Sequence, residues 1–234
     1  MSFFTAVGII ILATLIGASL QLSPGIFLIF YHYASGKNSK KKANDLALSY
    51  IFGALLYSVI MFLLLYAVYF SFFYTHPCLE KGLFMWIIAG ILFVLNIISC
   101  FFYYRKGKGT ELFISRGISQ KIFTRARNIE TKKDAFTLGL FSSTAEILFS
   151  FPVYIIAVSA ANNIDSISKI FFAFIFILAP IVPIFTHFVM YRSGANLAEI
   201  QRRRVKNKAF IRFMLTLAYI LLVVAILNAE FIKW

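Results

Sequence analysis

Apolar residues gather along this chain in six long blocks, near 5–33, 46–73, 83–104, 135–160, 169–191 and 211–232, divided by short polar or basic stretches. The two-residue alternation of an outer-membrane strand is absent. Each block is instead near the roughly 20 residues that carry an α-helix across about 30 Å of hydrocarbon. The pattern predicts an all-α, polytopic membrane protein with six transmembrane helices. Although the first block starts at the N-terminus, Met1 to Thr5 carries no Lys or Arg. The block also outruns the roughly 7–15-residue core of a leader peptide, so it is expected to be a helix of the mature protein.

Composition agrees: 61% of the 234 residues are apolar and 14% are charged, against about 45–50% and about 25% in ordinary soluble domains. A net charge of +14 would point a soluble protein toward nucleic acid, but the placement of the charge gives a simpler account. Of the 23 Lys and Arg residues, all but Lys81, Lys169 and Lys233 fall in three loops, within 37–42, 105–133 and 192–212. Cytoplasmic loops carry that excess, which places both termini outside and the three basic loops inside. No nucleic-acid partner is implied. The bilayer itself is the expected partner, with anionic lipids at the basic cytosolic loops; the 105–133 loop reads first as a topology signal, with the holding of anionic lipid or of a cytosolic partner as a second role.

Three blocks precede the long basic loop and three follow it. The expected organisation is a first repeat over 1–104, a basic cytosolic linker over 105–134 and a second repeat over 135–234. An odd number of spans per half turns the second half upside down, which is the inverted-repeat plan of many secondary transporters. Within the linker, Glu111 to Arg125 reads as a short amphipathic helix lying on the membrane face. Tyr31, Tyr33, Tyr74, Trp86, Tyr103, Tyr104, Tyr191 and Trp234 fall at the block ends, where aromatic side chains anchor a protein at both interfaces.

Candidate chemistry lies where the blocks are interrupted. Gln21, Ser23, Pro24 and Gly25 occur inside the first block. Pro24 removes a backbone hydrogen bond and crowds the Leu20 carbonyl, about 15 Å from the inner end, so the break is expected near the midplane. The fourth block carries Ser142, Ser143, Thr144 and Glu146, followed by Ser150 and Pro152. Glu146 stands about 18 Å past Asp134 by helical rise, the one acid expected at mid-membrane. A carboxyl group there is costly unless protonated, paired or wetted, and usually marks a pathway; a hydrogen-bonded structural glutamate is the alternative. Pro180 and Pro183 predict a kink in the fifth block, and His187 lies one turn beyond. The expected substrate-binding set is Gln21, Ser23, Pro24, Gly25, Ser143, Thr144, Glu146 and Pro180. Ser49, Tyr50, Tyr57, Asn96 and Tyr154 read as cavity lining or as packing glue between helices.

Other chemistries find no support. Cys78 and Cys100 are separated by a helix of about 30 Å, whereas a disulfide needs Cα atoms within about 7 Å, so no redox pair forms. No dense Asp, Glu, His and Cys cluster suggests a metal. A phosphate-binding glycine loop, a zinc-protease helix and a serine elbow are all missing from the sequence. The chain is therefore expected to be no enzyme and to use no cofactor.

The run Leu22-Ser23-Pro24-Gly25-Ile26-Phe27-Leu28, continuing through Ser35-Gly36-Lys37, resembles the first-helix signature of the LysE-type small exporters. Gly90, Arg105 and Phe136-Thr137-Leu138-Gly139-Leu140 also fit that family's layout. Two departures stand out: Ile26 replaces the second proline of the signature, and Thr144-Ala145-Glu146 stands where an Asn-Pro-Lys element is usual. The resemblance implies the fold of a small multi-pass exporter; with the inverted halves and the broken helices, the expected function is secondary export of a small polar or zwitterionic solute, such as an amino acid, by alternating access, and the helical spans point to the plasma (inner) membrane. A transporter of lipid or lipid-linked compounds, in keeping with 28 Phe residues, and a non-transporting assembly or partner-binding membrane protein are the rival expectations, with a metal exporter third. Oligomeric state is left open, a homo-oligomer included.

Overall fold

The apolar blocks become helices because leucine, isoleucine, phenylalanine and alanine pack well on a helix, and because a helix satisfies its own backbone. A computed structural model describes residues 3–19, 37–75, 81–98, 116–144, 147–162, 164–193, 199, 202 and 206–231. Among them the elements are all α-helical: α1 (Phe3–Ser19), α2 (Lys37–Thr75), α3 (Lys81–Ile98), α4 (Arg116–Arg127), α5 (Lys132–Thr144), α6 (Ile147–Ala161), α7 (Ser166–Leu178), α8 (Ile181–Arg192) and α9 (Lys208–Phe231).

Helix α2 has 39 residues, and its stretch Lys40–Phe72 is long and apolar enough to cross a membrane. The pair α7 and α8 meets the same test when taken together, bent by 50° at the break between them. Shorter apolar stretches lie in α1, α3, α6 and α9. The bend has a local cause. Ala179 still donates its N–H to the Ile175 carbonyl at 2.9 Å, but Pro180 has no N–H to continue the ladder, and Val182 donates instead to the Ala179 carbonyl at 3.2 Å. Pro183 falls in the first turn of α8, where a missing N–H costs little. Pro152, by contrast, lies inside α6, which runs on through it to Ala161. The expected kink of the fifth block is thus present, at Pro180.

Helix starts follow side-chain caps. Thr131 Oγ1 accepts the Asp134 N–H at 3.2 Å and donates to Asp134 Oδ2 at 2.6 Å, opening α5. Asp165 Oδ2 accepts the Ser168 N–H at 2.9 Å and opens α7. That bond holds the Asp165 carboxyl below the ordinary aspartate value.

Two apolar cores fill the bundle. The larger takes Ala6, Ile9, Ile10, Ala13 and Ile16 of α1, the second half of α2 from Tyr57 to Leu65, and residues of α3, α6 and α9, with Phe176 of α7. The smaller takes Ala43 to Ala54 of α2, Ala126 of α4, Leu138 of α5, and Ile181, Ile184 and Phe188 of α8. Helix α4 overlaps the amphipathic helix expected over Glu111 to Arg125, and it contributes Ile122 and Ala126 to this second core while Lys121, Arg125 and Arg127 stay exposed.

The outward faces are apolar as well. Phe52, Leu63 and Phe70 of α2, Phe171 and Phe174 of α7, and Phe210 and Phe213 of α9 are each 60% or more exposed. Large apolar side chains standing this far out on several helices are surface that a contact with lipid or protein would cover. Lys40, Lys41, Lys42, Lys132, Lys133 and Arg192 stand at the end where α2 begins and α8 finishes, whereas Asp165, just before α7, and Lys169, in its first turn, stand at the start of α7.

Candidate functional site

The site is built on α2 and α5, which pack most extensively against each other among the described residues. Gly53 and Gly139 set the distance. A Cβ on Gly53 would run into the Phe136 carbonyl oxygen, and one on Gly139 into that of Tyr50, so the two backbones touch directly. Three contacts fix direction and register along one seam. Lys132 Nζ pairs with Asp45 Oδ2 at 2.9 Å, Tyr50 Oη meets Ser142 Oγ at 2.8 Å, and, on α6, Ser159 Oγ meets Tyr69 Oη at 3.2 Å. Positions rise together on both sides, so α2 runs parallel to α5 and α6.

Polar side chains collect where the two cores meet. On α2 the smaller core ends at Ala54 and the larger begins at Tyr57, and Ser58 follows at 1% exposure. On α5, Ser142 and Ser143 lie beyond Leu138 at 2% and 4% exposure. Between Phe176 of one core and Ile181 of the other comes the bend at Pro180. A band of hydroxyl groups thus lies at the height where the neighbouring helix is broken.

Those hydroxyls are held, mostly by their own helices. Ser142 and Ser143 both donate to the Gly139 carbonyl, at 3.2 and 3.1 Å, and Ser58 donates to that of Ala54 at 3.2 Å. Such back-bonding competes with the helical ladder and commonly bends the helix. Thr144 donates to the Phe141 carbonyl at 2.6 Å and is exposed.

Of the expected substrate-binding residues, the structure buries Ser143 and Pro180 and leaves Thr144 on an exposed face. Gln21, Ser23, Pro24, Gly25 and Glu146 lie outside the described residues; α5 and α6 flank Glu146 on either side. Tyr50 acts as packing glue through Ser142, and Tyr154 stacks edge-on to Phe176 with centroids 4.8 Å apart. His187 Nδ1 lies 2.6 Å from the Pro183 carbonyl, one turn back along the helix. Among the described residues no group of three or more His, Cys, Asp and Glu is placed to hold a metal.

The Gly53–Gly139 crossing and the Asp45–Lys132 pair were not foreseen from the sequence. Gly139 lies in the run 136–140, but nothing in the sequence names its partner on α2. No protein-family model, curated protein or solved structure matches this chain.

Proposed function

We propose that this chain is a secondary transporter of the plasma (inner) membrane that exports a small polar or zwitterionic solute, such as an amino acid, by alternating access. In this reading the six apolar blocks are six spans, arranged as two inverted halves with both termini outside. The apolar outward faces of α2, α7 and α9 then meet lipid, and the lysines and arginines at the start of α2 and the end of α8 lie on the cytosolic side. The resemblance of the run around Pro24 to LysE-type exporters points the same way.

One observation carries the proposal: the buried hydroxyls of Ser58, Ser142 and Ser143 lie between two apolar cores, at the level where Pro180 breaks the α7–α8 pair. An all-apolar bundle needs no such band. Glu146, two residues past Thr144, binds the solute's ammonium group or exchanges a proton in this scheme, and the Ser23-Pro24-Gly25 segment of the opposite half offers free backbone groups to its carboxylate. The test is efflux of amino acids from liposomes holding the purified protein. Transport is expected for the wild type, at least tenfold reduced by Glu146→Gln and clearly slowed by Pro24→Ala, about the loss of one charged or backbone contact. Unchanged transport in both variants rejects the site.

A further inference from the structure

The end of the bundle where α2 begins carries a cleft of 380 Å³, open to the outside and lined by Lys41, Lys42, Asp45, Leu46, Glu130 and Lys132. Three cations face two carboxylates. Asp45 is already engaged, by Lys132 at 2.9 Å. Among the described residues Lys41 and Lys42 take part in no ion pair, and both are exposed. After the Asp45–Lys132 pair is set aside, two lysines face the single carboxylate of Glu130, and the cleft keeps a positive excess.

What lies above the cleft narrows the ligand. Lys41, Asp45, Leu48 and Phe52 fall on one stripe of α2, since steps of four, seven and eleven residues return close to the same helical face. Leu48 and Phe52 are exposed, Phe52 by 60%. A soluble anion has no use for an apolar track leading away from its site, whereas a phospholipid needs one. Phosphate and acyl chain belong at these two heights: Leu48 lies about 10 Å along the axis from Lys41, the distance from a headgroup to the first part of the hydrocarbon. Nearby, Arg125 of α4 stands over the exposed ring of Phe141, 5.8 Å from its centroid. That is how a basic side chain lies along apolar surface while its charge reaches the interface.

We infer that this cleft is a binding site for the phosphate of an anionic phospholipid, held by Lys41 and Lys42, with the acyl chain laid along Leu48 and Phe52. The inference rests on the membrane placement proposed above, but not on solute passage. It would tie lipid to the start of α2, the helix that carries the Gly53 crossing, and so make the stability of the bundle depend on the surrounding leaflet.

The test is native mass spectrometry of the full-length protein released from detergent, with phosphatidylglycerol, phosphatidylcholine or inorganic phosphate added. Phosphatidylglycerol is expected to remain bound in preference to phosphatidylcholine, with retention falling about fivefold for each lysine removed in Lys41→Gln and Lys42→Gln. Lys133→Gln, which alters a neighbouring charge that does not line the cleft, should leave retention within about twofold of the wild type. Equal retention of the two lipids, or unchanged phosphatidylglycerol binding in the double variant, overturns the site. Inorganic phosphate competing at millimolar concentration would assign the cleft to a soluble anion and overturn the lipid reading. Loss of transport in Glu146→Gln with lipid retention intact, or the reverse, separates this inference from the function proposed above. Protein that stays in solution without detergent would remove the membrane placement beneath both.

Discussion

The α2–α5 seam and the α7–α8 pair solve the same problem in opposite ways. Along the first, Gly53 and Gly139 bring two backbones into contact, and polar ties at Asp45–Lys132 and Tyr50–Ser142 pin the register. Along the second, Pro180 opens the helix and the chain bends by 50°, with Phe176 wedged against Phe62 and Tyr154. One pair has no room to slide; the other has its weak point at the height of the buried hydroxyls. In a transporter the first is suited to be the fixed post and the second the moving arm, because interfaces switch between discrete packings and hinges concentrate where the backbone is already broken.

The contrast is broken most severely at the glycines. Gly139→Leu is expected to cost about 3 kcal/mol or more, because the added side chain meets the Tyr50 and Ala54 backbone and neither helix can yield. Thermal unfolding in detergent should show a large fall or no folded protein. Gly90→Ala in α3 is the matched control: nothing lies within 4 Å of its added Cβ, so it is expected to be neutral or to stabilise by about 0.5–1 kcal/mol. A Gly139→Leu protein as stable as the wild type would mean that the two helices are not in backbone contact.

A smaller effect sharpens the same comparison. Tyr50→Phe removes the hydroxyl that reaches Ser142 but keeps the ring in the smaller core, and Ser142 retains the Gly139 carbonyl. The expected loss is about 1 kcal/mol, read by the same unfolding measurement. Were the seam held by that bond and not by the glycines, Tyr50→Phe would rival Gly139→Leu.

The smallest effect falls on the second pair. Asp165 caps α7 through the Ser168 N–H, which keeps its carboxyl below the usual aspartate value. A carboxyl with a lowered folded value adds stability at pH above its unfolded value and loses it as the pH falls through the folded one. Asp165→Ala should therefore lower the unfolding temperature slightly near neutral pH and differ from the wild type less and less in acid. A gap that widens in acid would contradict the cap.

How far the sequence foretold this follows from what each signal depends on. Helical blocks, the kink at Pro180 and a short basic helix before α5 are local, since residue spacing and a missing N–H decide them; among the described residues the blocks are helical and the bend falls at Pro180, while Lys40–Phe72 is the one stretch long enough by itself to cross a membrane. The Gly53–Gly139 crossing joins residues far apart in the chain, and a glycine in an apolar run does not reveal which backbone will approach it. The cleft at Lys41, Lys42 and Lys132 is equally non-local, since the lysines read only as a topology signal until α5 is packed against α2. Ser143, polar within an apolar block, is buried. Its neighbour Thr144 looks the same in sequence, yet one residue of helix rotates it about 100° onto an exposed face. Gln21, Ser23, Pro24, Gly25 and Glu146, five of the eight expected site residues, lie outside the described residues.

The most direct test of the central claim asks whether the hydroxyl band between the two cores is reached from water. With Cys78 and Cys100 replaced by serine, Ser143→Cys is placed in liposomes and treated with a membrane-impermeant thiol reagent, beside Leu138→Cys in the smaller core as control. The account predicts slow labelling at position 143 that the transported solute suppresses, and none at 138. No labelling at 143, or equal labelling at both positions, would contradict it.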